Sequence, residues 1–205
     1  KKTEEAITYY KSALKLNPDY AMAHSNLGIA LEEKGEFEEA LAHYREAVRL
    51  EPNLVLAHYN LGIVLKEKGE LEEAISHYRE AIKFKPDFVL AHINLGNALL
   101  AIQKTDEAIT HYRFAIKINP NHALAHNNLG YTLFLELKHE EAISHYKTAI
   151  KFNPNHAHGH YNLGIVLFAL GKIKEAISHY QTAIKLNPNY AAAHNNLGLI
   201  LEENG

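Results

Sequence analysis

Six asparagines, Asn26, Asn60, Asn94, Asn128, Asn162 and Asn196, recur at intervals of 34 residues. A carboxamide carries two N–H donors and a carbonyl acceptor. A row of them can therefore pair with the backbone of an extended peptide, whatever its side chains. Each such bond contributes about 0.5–1.5 kcal/mol net. Asparagine is a mediocre helix former, so its recurrence within a helical pattern requires a use. A second use is compatible with the first: the amide can bond a neighbouring helix and stiffen the stack.

Histidine is the other abundant candidate, at 15 residues. One column holds His24, His58, His92, His126, His160 and His194, and another holds His43, His77, His111, His145 and His179. Ligands supplied once per repeat are too dispersed for a tetrahedral metal site, so no metal is expected. The exception is the local group His122, His126, His156, His158 and His160, whose four-residue spacings allow adventitious nickel or zinc binding. The first column reads most simply as half-buried packing. Neutral half-buried histidines must charge as pH falls, so stability is expected to drop toward about pH 5–6.

Enzyme chemistry finds no foothold in the pattern. There is no glycine-rich phosphate loop, no Ser-His-Asp arrangement outside the repeats, and no acidic pair that breaks the periodicity. Active sites normally stand out as local violations of a pattern, so a non-enzyme without cofactor is expected. The most irregular stretch, Ala101 to Thr105, reads as turn variation. With 21 Lys and Arg against 24 Asp and Glu, no basic stripe for nucleic acid is expected. Cysteine is absent, which excludes disulfides and thiolate chemistry. No apolar run is long enough to span a bilayer, and Lys1-Lys2-Thr3-Glu4-Glu5 lacks the apolar stretch of a signal peptide. Membrane insertion is therefore not expected, and the cytoplasm is the default compartment.

The elements that position these columns follow from the same 34-residue interval. Pro18, Pro52, Pro86, Pro120, Pro154 and Pro188 keep it, as do Gly28 through Gly198, Ala6 through Ala176 and Ala13 through Ala183. In the unit Val55–Phe88, His58, Leu61, Gly62 and Leu65 share one helical face, and Gly69 ends that helix. Ala74, Ile75, Tyr78, Ala81 and Ile82 share the face of a second helix, which Pro86 stops. Asp87 is suited to cap the next helix. Small residues allow close helix crossing while Leu61, Leu65 and Tyr78 fill the remaining space. A single hairpin cannot bury both faces of its first helix, so the units must stack into an all-α solenoid of antiparallel helix pairs.

The phrase His24, Leu27, Gly28, Leu31, then Ala40, Tyr44 and Pro52, resembles the tetratricopeptide repeat signature W-x2-L-G-x2-Y, A-x3-F, P. Histidine stands in the tryptophan slot and leucine in the first-helix tyrosine slot throughout. The resemblance covers the whole chain as a single array: a partial repeat 1–20, full repeats 21–54, 55–88, 89–122, 123–156 and 157–190, and a partial repeat 191–205. It implies a right-handed superhelix whose concave face is lined by first helices. It also implies a non-catalytic scaffold that holds a protein or extended peptide. The asparagine column is similar to the ladder in the repeat domain of O-linked N-acetylglucosamine transferases, so a substrate-recruiting part of a larger enzyme is an alternative. The lysines of the family's two-carboxylate clamp are missing: Met22, Leu56, Leu90, Leu124, His158 and Ala192 stand one turn before the asparagines, so heat-shock-protein tails are not expected partners.

Beside the ladder, the expected groove lining passes from charged (Glu32, Glu33, Lys66, Glu67) to apolar. The peptide-binding candidates there are Asn97, Leu100, Tyr131, Phe134, Ile165 and Phe168, where burial of each Leu or Phe is worth about 1.5–3 kcal/mol. The chain opens just before a second helix and closes just after a first one, in the register of Gly35. That reads as a stretch of a longer array. Head-to-tail self-association through the unpaired end helices is the alternative.

Overall fold

In the computed structural model, residues 2–204 are described, with side chains from 2 to 202. Lys1 and Gly205, which set the expected register of the two ends, lie outside them. Twelve helices and no strand occur among the described residues. They fall into two compact units, Lys1–Lys104 and Thr105–Gly205.

The first unit runs α1 (Lys2–Leu16), α2 (Ala21–Glu33), α3 (Phe37–Leu50), α4 (Val55–Glu67), α5 (Leu71–Phe84) and α6 (Val89–Ala101). The second runs α7 (Thr105–Ile118), α8 (Ala123–Leu135), α9 (His139–Phe152), α10 (Ala157–Ala169), α11 (Ile173–Leu186) and α12 (Ala191–Asn204). Within each unit every helix packs on the one before it. First helices also touch the next first helix, α2 with α4, α4 with α6, and α8 with α10. The expected all-α solenoid fold, built from helix pairs, is what each unit shows.

The sharpest packing constraint joins the glycine and tyrosine columns. Tyr44, Tyr78, Tyr112, Tyr146 and Tyr180 on the second helices are fully buried. A Cβ added at Gly28, Gly62 or Gly164 would sit 2.6, 2.6 and 2.7 Å from the ring of Tyr44, Tyr78 and Tyr180. Each ring therefore lies directly on the backbone of the first helix, and Leu27, Leu31, Leu61, Leu65, Leu129, Leu133, Leu163 and Leu167 of the first helices are buried as well. Burial of each leucine contributes about 1.5–3 kcal/mol.

Turns between paired helices use a left-handed residue, which lets the amide just beyond the helix bond back to it. Gly35, Gly69 and Gly171 adopt φ of 79°, 82° and 71°. Gln103 and Leu137 occupy the same slot at φ 61° and 57°. The irregular turn after Ala101 thus keeps the geometry without the glycine. A Cβ in this region costs roughly 1–2 kcal/mol.

Helix entry differs from the expected capping. The residue after each proline does not cap; the N-cap positions are Tyr20, Leu54, Phe88, His122 and His156. Of these only His122 uses its side chain, accepting from the Ala125 N–H. The residue after proline lies one position too early, and Asp87 itself leaves the cap to Phe88. Three of the turns are held instead by Asx bonds, in which Asn17, Asn119 and Asn187 accept from the backbone N–H two residues on.

Two substitutions test these constraints. Gly62→Ala is expected to destabilise by about 1–3 kcal/mol, because Tyr78 has no room to retreat. Leu137→Gly, at a side chain that is 77% exposed, is expected to stabilise by about 1 kcal/mol. Urea unfolding of each variant against the parent chain checks both.

Candidate functional site

In the first unit, Asn26, Asn60 and Asn94 lie half-buried on the face formed by α2, α4 and α6. Asn94 donates from Nδ2 to the Tyr59 hydroxyl at 3.0 Å, so one ladder amide is bonded to the preceding first helix. Tyr59 is itself held between Phe88 and Tyr78, at ring separations of 4.8 and 6.1 Å. Asn60 lies beside Tyr44, whose hydroxyl donates to Glu32 Oε2 at 2.9 Å. Ile29, Glu32, Glu33, Tyr44 and Asn60 line an open hollow of about 260 Å³. Burial raises the Glu32 carboxyl above its ordinary pKa; the Tyr44 hydrogen bond works against this, and Glu67 and Glu33 add to it. Met22, Leu56 and Leu90 are exposed one turn before the asparagines, while Asn97 and Leu100 are half-buried.

In the second unit, Asn128, Asn162 and Asn196 are half-buried as well. Asn162 donates to Asn127 Oδ1 at 3.2 Å, and Asn127 donates to Asn128 Oδ1 at 3.4 Å, so three amides form a chain. Asn196 donates to the Tyr161 hydroxyl at 3.3 Å, and Tyr161 packs against Tyr190 and Tyr180. Tyr131 and Phe168 are exposed at 44% and 37%, and Leu124 is exposed beside them in the column of Met22 and Leu56. Ile165 is half-buried, and half-buried Phe134 packs on His139 at 5.5 Å. The ladder thus performs the stiffening role at Asn94, Asn162 and Asn196. The partner is the side chain 35 residues earlier in each case.

The histidine columns behave differently from the packing role expected for them. The first-helix histidine and the second-helix histidine 19 residues later meet through their Nδ1 atoms. The separations are 2.9 Å for His24 with His43, 2.9 Å for His58 with His77, 2.9 Å for His126 with His145, and 3.0 Å for His160 with His179. The other nitrogen, Nε2, of each first-helix ring lies against the carbonyl of the preceding proline, at 2.9 Å for Pro18 and Pro52, 3.0 Å for Pro120 and 3.3 Å for Pro154. The shared register of the two columns was the available signal. Recognising the pair required knowing that the helices fold back at that offset. The His122–His160 group is divided among separate partners: His126 and His160 join these pairs, and His158 bonds Tyr190. Among the described residues no three His, Asp or Glu side chains converge to hold a metal ion.

With this architecture in view, comparison with known proteins decides the family. The profile described as TPR repeat matches residues 1–35, 30–69, 64–103, 96–135, 138–171 and 165–205. The chain belongs to the tetratricopeptide repeat family. Among solved structures, it is similar to YrrB, described as a TPR protein with an unusual peptide-binding site. That match has TM-score 0.74 at 24% identity and covers 91% of this chain and 96% of that one. MamA from Desulfovibrio magneticus RS-1 gives 0.74 at 24% identity over 83% and 97%. The APC/C hetero-tetramer Cut9–Hcn1 gives 0.81 at 21% identity over 98% of this chain and 40% of that one. No curated protein sequence matches. At these identities the likeness establishes the tetratricopeptide fold alone. Among the described residues no helix of this repeat protein is long and apolar enough to cross a membrane.

The inter-helix role of the ladder has a direct check. In a double-mutant cycle of Asn94→Ala with Tyr59→Phe, a coupling of about 0.5–1.5 kcal/mol is expected from urea unfolding. Additive losses would show that the bond contributes nothing.

Proposed function

We propose that this chain is a non-catalytic scaffold that holds an extended segment of a partner protein along the first-helix face of its units. The observation that carries the reading is the asparagine column, half-exposed at one fixed slot and bordered by exposed apolar side chains. In the first unit the border is Met22, Leu56 and Leu90; in the second it is Leu124, Tyr131 and Phe168. Carboxamides satisfy a peptide backbone, and the apolar border supplies anchors of the kind that dominate binding energy. The bonds that Asn94 and Asn162 make each use one amide hydrogen. A carboxamide has a second hydrogen and a carbonyl oxygen to offer a ligand, and the bond already made fixes the side chain in place. Such pre-organisation lowers the entropic cost of binding. The peptide-binding site of the YrrB relative supports a protein-interaction role.

The test is capture from a random peptide library, scored for the parent and two variants, Asn60→Ala/Asn94→Ala and Asn128→Ala/Asn162→Ala. Loss of one backbone bond is worth about 0.5–1.5 kcal/mol, so a double variant is expected to weaken captured peptides roughly tenfold. Tyr59→Phe, which removes the inter-helix acceptor but leaves the amide, is expected to weaken capture through lost pre-organisation, and by less than the asparagine variants do. Capture unaltered in both asparagine variants would remove the ladder from the binding surface.

A further inference from the structure

We infer that the helix pairs α2–α3, α4–α5, α8–α9 and α10–α11 each carry a proton-binding relay, glutamate to histidine to histidine to prolyl carbonyl, which accepts one proton and is opened by a second. The four copies are Glu39–His43–His24–Pro18, Glu73–His77–His58–Pro52, Glu141–His145–His126–Pro120 and Glu175–His179–His160–Pro154; the two rings and the prolyl carbonyl meet in all four, and the glutamate contact is seen at Glu73–His77. The glutamate stands one helical turn before the second-helix histidine in every copy.

The tautomers follow from which atoms can donate. A prolyl carbonyl only accepts, so Nε2 of the first-helix ring carries hydrogen. In the neutral ring, Nδ1 is then a lone pair. The second-helix ring must supply the hydrogen between the two Nδ1 atoms, which leaves its own Nε2 bare. That bare nitrogen is the place for the first proton. At His77, Nε2 lies 3.8 Å from Glu73 Oε1, and Glu39, Glu141 and Glu175 act on His43, His145 and His179 in the same sense. A proton there keeps every existing hydrogen bond. A second proton would have to enter Nδ1 of the first-helix ring, where an N–H already points from 2.9–3.0 Å away. Two N–H dipoles and two charges would then meet head-on. The contact between the helices must break, and with it the tie to the proline turn.

The surroundings give this device its working range. A cation on the preceding second helix opposes charging of each second-helix ring: Lys11 on α1 for His43, Arg45 on α3 for His77, Arg113 on α7 for His145 and Lys147 on α9 for His179. Glu80 has the opposite effect on His77. In the second unit, His122 and His156 add positive charge near His126 and His160 when protonated. Burial, reinforced by the partner ring, holds the second-helix histidines below their ordinary pKa. A lowered folded-state value means that the stabilisation is complete above about pH 6.5, the unfolded value, and is lost as pH falls through the folded one.

Two measurements test the relay. In the parent chain at pH 7.5, long-range ¹⁵N–¹H correlation of the imidazoles is expected to show first-helix rings protonated at Nε2 and second-helix rings at Nδ1. Nε2–H forms at His43, His77, His145 and His179 would overturn the proposal even if no variant folds. The second measurement is thermal unfolding at pH 7.5 and pH 5, with chelator present throughout. It compares the parent with a variant in which those four histidines are changed to Asn, whose Nδ2–H replaces the Nδ1 donor, whose Oδ1 can turn to accept from the first-helix Nδ1 once that is protonated, and which has no Nε2 to protonate. The parent Tm is expected to fall by about 5 °C or more, and the variant by less than half as much. An equal fall in both would place the pH sensitivity elsewhere.

Discussion

A tyrosine ring lying on bare helix backbone is the contact from which the rest of this structure follows. Because Gly28, Gly62 and Gly164 leave no room between the first helix and Tyr44, Tyr78 and Tyr180, the two helices of a pair have one distance and one rotation available. Every other column inherits its position from that contact. The first-helix leucines, the asparagines two residues before the glycines and the histidines near the helix entry are arranged by a crossing that cannot slide. Close packing of this kind admits few alternatives, since an added methylene already forces a shift.

The asparagine ladder shows how one side chain serves stacking and surface together. Asn94, Asn162 and Asn196 each reach back 35 residues to a hydroxyl or carboxamide on the preceding first helix. That bond orients the amide, and an oriented amide is a better element of a binding face than a free one. The partner slot varies between tyrosine and asparagine, so the ladder is a set of related bonds of different strength. Where tyrosine occupies it, at Tyr59 and Tyr161, the ring is also clamped by Phe88 or Tyr190 on the loop side. The result is a local cluster repeated once in each unit.

The histidine pairs add a third constraint, at the opposite end of the first helix from the glycine-turn. A proline stops each second helix, and its carbonyl would otherwise face solvent or remain unbonded. The first-helix imidazole accepts that task in place of the family's tryptophan, and its remaining nitrogen fastens the pair from inside. A tryptophan has a single N–H and could make only one of these two contacts. Replacing it with histidine therefore exchanges apolar area for a hydrogen-bonded link that responds to protonation.

The sequence by itself determined the repeat length, the pairing of helices, the glycine turns and the family, because each depends on residue type at short range or on strict periodicity. Columns of Gly, Ala, Pro and Leu in one register leave little other way to bury their apolar faces. The amide column was also legible, since asparagine is out of place in mid-helix. Tertiary structure alone decided who bonds to whom. Helix entry at Phe88 in place of Asp87, the reach of Asn162 to Asn127 and the meeting of His58 with His77 all depend on ångström-scale offsets between segments 19 or 35 residues apart. Hydrogen bonds are directional and short, whereas hydrophobic burial tolerates displacement. Periodicity could therefore announce the packed faces, and the polar partners became visible only once the helices had taken up their places.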